Sequence, residues 1–302
     1  MSVNIVEVDD LCRQFGNTLA LDHVNYSARE GLVYGLVGVN GAGKTTLIKH
    51  LLGLLRARSG SVRIFGLDPV HHPVEVLGHI GYLSEERDLP EWMSIEQLMR
   101  YTQAYYPKWD NDYADELLKT FNLDTSIQVK NLSKGMRAQV GLVAAVAHRP
   151  RLLILDEPST GLDALVRADI LDAIVRTVSD DGRTVVFSSH LLEEVERMSD
   201  HITMINAGSV VLDGELDRVK QRFQRSSVRF SDHQDPEPEI EGSLSLEGSG
   251  RSWDVIHETT VEQFSAAVAA TGGELVQSRD ATLLEIFIAR VGRNTQIVEA
   301  PL

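Results

Sequence analysis

Cysteine is nearly absent: the chain of 302 residues has one, Cys12. That excludes an intrachain disulfide and a cysteine-rich zinc site, and it suits a reducing cytoplasm. Long apolar runs are missing as well. The longest candidates, such as Val140 to Ala147, fall short of the ~18 residues that suggest a membrane span. If a membrane is involved, another polypeptide must cross it. Positive charge is scarce, with 29 Lys and Arg against 44 Asp and Glu and a net charge of −15. A surface that holds nucleic acid needs the opposite balance, so no nucleic-acid partner is expected. The opening residues, MSVNIVEVDD, alternate polar and apolar and then turn acidic, unlike a secretory signal.

What remains is an ordinary globular composition, 43% hydrophobic and 24% charged, long enough for one large domain and a small one. Residues 3–8 and 19–28 read as antiparallel strands, and Leu32 to Val37 as a short buried strand. Helical spacing follows over Thr45 to Leu55, further strands over 61–65 and 79–83, and helices from Ser94 to about Leu118 broken at Pro107. Ser133 to His148 reads as a helix with Ser133 as N-cap and Pro150 just past its end. Leu152 to Leu155 and Thr184 to Ser188 are apolar strands. Such alternation predicts an α/β core with a mostly parallel sheet. Near residue 218 the character changes. Asp232, Asp235, Glu237, Glu239, Glu241 and Glu247 crowd a stretch free of Lys and Arg, best read as a solvated loop or hairpin edge. A helix over Thr259 to Ala270, a strand over Glu274 to Gln277 and a helix over Leu283 to Val291 make 218–302 a small α+β appendage to a main domain spanning 1–217.

The segment Gly38-Val-Asn40-Gly41-Ala42-Gly43-Lys44-Thr45-Thr46 stands between the buried strand and the helix. A triphosphate needs many donors close to its oxygens, and glycines let the backbone wrap that tightly. The helix start adds N–H groups and partial positive charge. Lys44 would reach the β- and γ-phosphates and Thr45 would hold Mg²⁺. The bland alternative is a glycine-rich turn that happens to end in Lys-Thr. A dinucleotide loop is excluded, because Thr46 stands where the third glycine belongs.

Phosphoryl transfer also needs an acid on the metal and a group that orients water. Arg151-Leu-Leu-Ile-Leu-Asp156-Glu157-Pro158 supplies both at one strand end. Asp156 is placed for Mg²⁺, and Glu157 for water at the γ-phosphate. With these motifs the chain resembles the nucleotide-binding subunit of an ATP-binding cassette transporter. Leu132-Ser133-Lys134-Gly135-Met136 resembles the signature LSGGQ in a variant common among export-type subunits. Ser159-Thr-Gly-Leu-Asp163 resembles the D-loop, and Ser188-Ser189-His190 the switch-histidine loop. The motifs cover residues 1 to about 215.

The resemblance implies a phosphate-loop NTPase core with an antiparallel N-terminal sheet and a helical insert at about 86–150. It implies ATP and Mg²⁺ as ligands, with Gly38, Asn40, Gly41, Ala42, Gly43, Lys44, Thr45 and Thr46 as the cradle. Catalysis falls to Glu157, His190, Lys44 and Asp163, the last at a dimer seam. Phe15 matches the adenine-stacking aromatic, or else is a core residue. A helix start at Ser133 and Gly135 is a second anion site. In the family it caps the γ-phosphate held by a second cassette, a homodimer mate or a paralogue.

One departure is Glu85, in Gly81-Tyr-Leu-Ser-Glu85-Glu86-Arg87, where the family has a glutamine at the metal. A carboxylate can serve there, although a solvated acidic turn is the competing reading. Segment 94–130 would dock on an integral-membrane permease. Its Tyr101, Tyr105 and Trp109 are spaced for one helix face and read as the insert's own core rather than the docking surface. His71-His72 is a weak metal signal, and Asp280 to Phe287 resembles the accessory region of export-type cassettes. The expected function is ATP hydrolysis that drives export, at the inner face of the membrane. A soluble cassette acting on nucleic acid or ribosomes is the alternative.

Overall fold

Two long strands, β1 (Asn4–Phe15) and β2 (Thr18–Arg29), pair antiparallel around Gly16. This is a computed structural model, and it describes residues 4–179, 182–234 and 236–292. Val3 of the first expected strand and Asp235 of the acidic stretch lie outside the described residues. Next comes β3 (Val33–Val37), every residue of it buried, followed by the glycine loop and α1 (Lys44–Leu51). β4 (Ser59–Ile64) returns to pair antiparallel with β1, giving a sheet ordered β2-β1-β4. Then follow α2 (Pro73–Leu77), β5 (Ile80–Leu83), α3 (Ile95–Gln103), α4 (Asn111–Thr120) and α5 (Lys134–Val146).

The chain re-enters the core as β6 (Leu152–Asp156), α6 (Ala164–Ser179), β7 (Thr184–Ser189), α7 (Leu192–Met198), β8 (His201–Asn206) and β9 (Ser209–Glu215). The central sheet is ordered β5-β6-β7-β3-β8-β9. Its β5–β6, β6–β7, β7–β3 and β3–β8 pairs are all parallel. β3, β6 and β7 are buried along their whole length, as continuous apolar strands between two layers must be. β8 and β9 have no counterpart among the sequence expectations. His201-Ile-Thr-Met-Ile-Asn206 mixes polar and apolar residues too briefly to stand out.

The insert corrects one expectation. α3 stops at Gln103, ahead of Pro107, whose ring disfavours helix in the residue before it. Tyr101 and Tyr105 therefore do not continue one helical face with Trp109. They are 48% and 65% exposed and meet edge to face, with hydroxyls 3.1 Å apart. The insert's core is instead Leu98, Met99, Leu117, Leu118 and Phe121.

Two compact units result, Met1–Val210 and Val211–Leu302. The second carries α8 (Leu216–Arg222), β10 (Gln224–Gln234), β11 (Ser243–His257), α9 (Val261–Ala270), β12 (Gly273–Asp280) and α10 (Leu283–Val291). Its sheet, β11-β10-β12, is antiparallel. Val228, Phe230, Trp253 and Val255 pack there with Phe264 and Val268 of α9. Asp232, Glu237, Glu239 and Glu241 are exposed around the β10–β11 connection.

Candidate nucleotide-binding and catalytic site

β6, β7 and β3 lie side by side in the sheet and run parallel, so their carboxyl ends share one edge. That edge is where open α/β sheets collect ligand-binding loops. β3 delivers the glycine loop, β6 delivers Asp156 and Glu157, and β7 delivers Ser188, Ser189 and His190. Register fixes the detail, because Asp156 pairs with Ser188 across the ladder.

Gly43 holds φ at +116°, and a Cβ there would sit 2.6 Å from the Ala20 carbonyl oxygen. Only glycine fits. α1 then begins without a side-chain cap and without an acidic residue in its first turn. Its first N–H groups remain available to an anion. Asn40, Gly41, Ala42, Gly43, Thr45 and Thr46 line a cleft of ≈ 360 Å³, which Lys44, Glu85 and Glu157 also border. Gly38 acts from behind, its carbonyl accepting from Lys44 Nζ at 2.6 Å.

Inside the cleft the charges form a triad. Lys44 Nζ lies 3.1 Å from Glu157 Oε1, and both side chains are 6% exposed. Glu157 Oε2 accepts from Thr160 Oγ1 at 2.9 Å and pairs with His190 Nδ1 at 2.6 Å. Burial pushes the Glu157 carboxyl up, but the His190 hydrogen bond and the Lys44 charge outweigh it and bring the group down to about 2. The hydrogen bond to Glu157 raises His190, against the opposing effect of burial. Glu157 thus sits between the Lys44 ammonium and the His190 imidazole, two donors that also suit a phosphate. Asp156 is 1% exposed, and its Oδ1 accepts from Ser188 Oγ at 2.6 Å. The same Ser188 oxygen accepts from the Glu157 N–H at 2.9 Å. Ser188 thereby ties the two acidic residues together.

Comparison with known proteins bears on the family and the fold. The family model described as ABC transporter matches residues 21–160. The daunorubicin resistance ATP-binding protein DrrA3 of Streptomyces coeruleorubidus is 36% identical, covering 73% of this chain and 71% of its own length. An uncharacterized ABC transporter ATP-binding protein, YhaQ of Bacillus subtilis, is 30% identical over 95% of this chain and 99% of its own. A solved structure of an ABC transporter's ATP-binding subunit aligns with a TM-score of 0.66 at 30% identity, covering 72% of this chain and 92% of that one. The chain belongs to the ABC transporter ATP-binding family. It is an ATPase of that family, with the α/β cassette fold.

In this cassette the donor set fits a hard divalent cation. Thr45 and Glu85 present oxygen ligands at the cleft, and Asp156 is a buried carboxylate that no cation pairs with among the described residues. All-oxygen donors of this kind suit Mg²⁺.

Other expected site residues lie elsewhere. Ser133 is exposed and caps α5 by accepting from the Met136 N–H at 3.1 Å. Gly135 faces Val166, whose Cγ1 would be 3.0 Å from an added Cβ. Neither lines the cassette's own cleft. Asp163 does not join the Glu157 cluster; its carboxylate accepts from the Leu165 and Val166 N–H groups at the start of α6. Phe15 is 44% exposed with the Arg13 guanidinium 4.6 Å from its ring centroid, so it is not a core residue.

Two contributors escaped the sequence expectations. Glu194 of α7 is buried and accepts from Ser159 Oγ at 2.6 Å and Ser189 Oγ at 3.2 Å, bracing the loops after β6 and β7. Arg87 reaches the carbonyls of Pro158 and Thr160. The available signal was weak in both cases, a charged residue a few positions beyond a motif.

Proposed function

We propose that this cassette hydrolyses Mg²⁺-bound ATP to drive export through a separately encoded membrane-spanning partner. Closing and opening a head-to-tail pair of cassettes is the working cycle. The observation that carries this reading is the division of labour along the chain. Phosphate cradle and carboxylates share one cleft, whereas Ser133 and Gly135 lie outside it at a solvent-facing helix start. A second copy or a paralogue supplies the missing side.

Lys44 first exchanges the Glu157 carboxylate for the β- and γ-phosphates, a substitution of one anion for another at the same ammonium. Glu157, so released, stays beside His190 and polarises the attacking water, while His190 hydrogen-bonds the γ-phosphate. Asp156, Thr45 and Glu85 would hold Mg²⁺, which when bound would neutralise charge on the phosphate oxygens. Phe15 stacks on adenine. Asp163, at the seam, caps α6 beside the partner's site.

The exposed pair Tyr101 and Tyr105 forms part of the surface that meets the permease, at the inner face of the membrane. No helix among the described residues is long and apolar enough to cross a membrane itself. The similarity to DrrA3, a daunorubicin resistance protein, supports export over import.

Glu157→Gln tests the cycle directly. It is expected to run as a dimer on size exclusion with ATP and as a monomer without nucleotide. A variant that binds ATP and stays monomeric rules out the paired mechanism.

A further inference from the structure

Arg87 stands in an unusual place for a guanidinium. It is only 4% exposed, yet among the described residues its guanidinium donates only to two backbone carbonyls, Pro158 at 3.0 Å and Thr160 at 3.1 Å, both reached by Nη2. Nε and Nη1 are buried with no partner among those residues. Burying a charge with so little compensation is costly, and an apolar side chain of similar length would fill the space more cheaply. The guanidinium is explained by what it holds.

It holds the turn that carries Glu157. The Thr160 N–H donates to the Glu157 carbonyl at 3.3 Å, and Thr160 Oγ1 donates to Glu157 Oε2 at 2.9 Å. Glu157 itself sits at φ +50°, a conformation that a non-glycine residue keeps only where its surroundings enforce it. Arg87 also closes a second turn. Its N–H donates to the Ser84 carbonyl and to Ser84 Oγ, each at 3.2 Å, with Glu85 and Glu86 between and its own φ at +53°. One guanidinium therefore joins the turn bearing Glu85, which borders the phosphate cleft, to the turn bearing Glu157.

We propose that Arg87 is a positioning residue for ATP hydrolysis, locking the Glu157 turn to the Glu85 turn so that both carboxylates move into and out of reacting geometry together. The proposal rests on Glu157 as the water-activating group. Arg87 does not line the cleft, so its effect falls on turnover and not on ATP affinity.

The test is steady-state hydrolysis and ATP binding by the full chain carrying Arg87→Met, Arg87→Lys or Arg87→Ala. Arg87→Met is expected to lose about tenfold or more in kcat while KM and ATP affinity stay within about twofold. Arg87→Lys recovers part of the loss, and guanidinium ion below denaturing concentration reactivates Arg87→Ala but not Arg87→Met. A purely structural role would instead lower Tm and leave kcat per folded molecule unchanged. A folded Arg87→Met with kcat within about twofold of wild type overturns the proposal, as does a raised KM at unchanged kcat.

If Arg87→Met does not fold, the cycle of Arg87→Lys with Thr160→Val decides. Action through Thr160 makes the second substitution cost far less kcat than it does alone, and fully multiplicative losses overturn the proposal. Glu157→Gln separates the two assignments. A fully active Glu157→Gln removes the Glu157 assignment, whereas an inactive one beside an unimpaired Arg87→Met removes Arg87 alone.

Discussion

The starts of α1 and α5 are the same kind of object in different surroundings. Each is a helix N-terminus with no acidic residue in its first turn. At α1 no side chain caps the helix, Lys44 is 5% exposed, and Glu157 and His190 complete a buried charge cluster. At α5 Ser133 occupies one N–H, and the exposed side chain faces solvent with no carboxylate cluster beside it. Backbone dipoles alone make both into anion sites. Enclosure and supporting charge set the first apart as the proposed reaction centre, and in the proposed cycle the second serves a neighbour.

Five substitutions break or sharpen this contrast. Lys44→Ala removes the ammonium of the enclosed site and leaves Glu157 a buried carboxylate with His190 and Thr160 as its remaining partners. Hydrolysis is expected to fall by about 10³-fold or more, read by phosphate release, with a lower Tm in the nucleotide-free chain. Ser133→Asp keeps the cap at α5 but adds a negative charge where a second cassette's γ-phosphate would come. About 10²-fold loss of hydrolysis is expected, with Tm and monomer ATP affinity unchanged, measured by calorimetry and equilibrium binding. An unaffected rate in Ser133→Asp means that α5 caps no phosphate.

Phe15→Ala acts further out. Loss of a stacking platform worth about 1 kcal/mol raises KM about fivefold at constant kcat. Raising the same KM in an Arg13→Ala variant would show that the Arg13 guanidinium, 4.6 Å from the ring centroid, preorients the aromatic.

In stability, His190→Gln gives the smallest effect and the clearest sign. His190 is raised above its ordinary 6.5 by its hydrogen bond to Glu157. Its contribution to stability is therefore fully present below pH 6.5 and lost as pH rises through the raised value. The Tm gap between wild type and His190→Gln should be widest in mild acid and close in alkali. Glu157 behaves oppositely. Its carboxyl is lowered from 4.5 to about 2, so its share is present above pH 4.5 and lost as pH falls toward 2.

Elements with continuous apolar runs were legible from the residues alone. β3, β6 and β7 stand where LVYGLV, LLIL and the run from Thr184 predicted them, because a strand buried on both faces has no alternative composition. Ser133 as a helix cap was legible for a local reason, since a hydroxyl placed before a helix satisfies an N–H within the same turn. β8 and β9 were not, being short strands of mixed polarity that the sheet order recruits beside β3. The tyrosines of the insert were misplaced by spacing, which assumed that a helix would run on toward Pro107. Asp163 was expected at a dimer seam, and its local role, accepting from two adjacent N–H groups of α6, is what the fold adds.

By itself the sequence determined the chemistry available: which backbone could wrap a phosphate, which lysine and carboxylates stood at strand ends, and which family these belong to. Those are local properties, carried by residue type and by separations of a few positions. Only the tertiary structure decided which groups meet. Lys44 and Glu157, far apart in sequence, share a buried ion pair because β3 and β6 flank β7 in one parallel sheet. Arg87 reaches the Glu157 turn across a similar gap for the same kind of reason. Strand order is set by how the layers bury their apolar faces, and no local pattern states it.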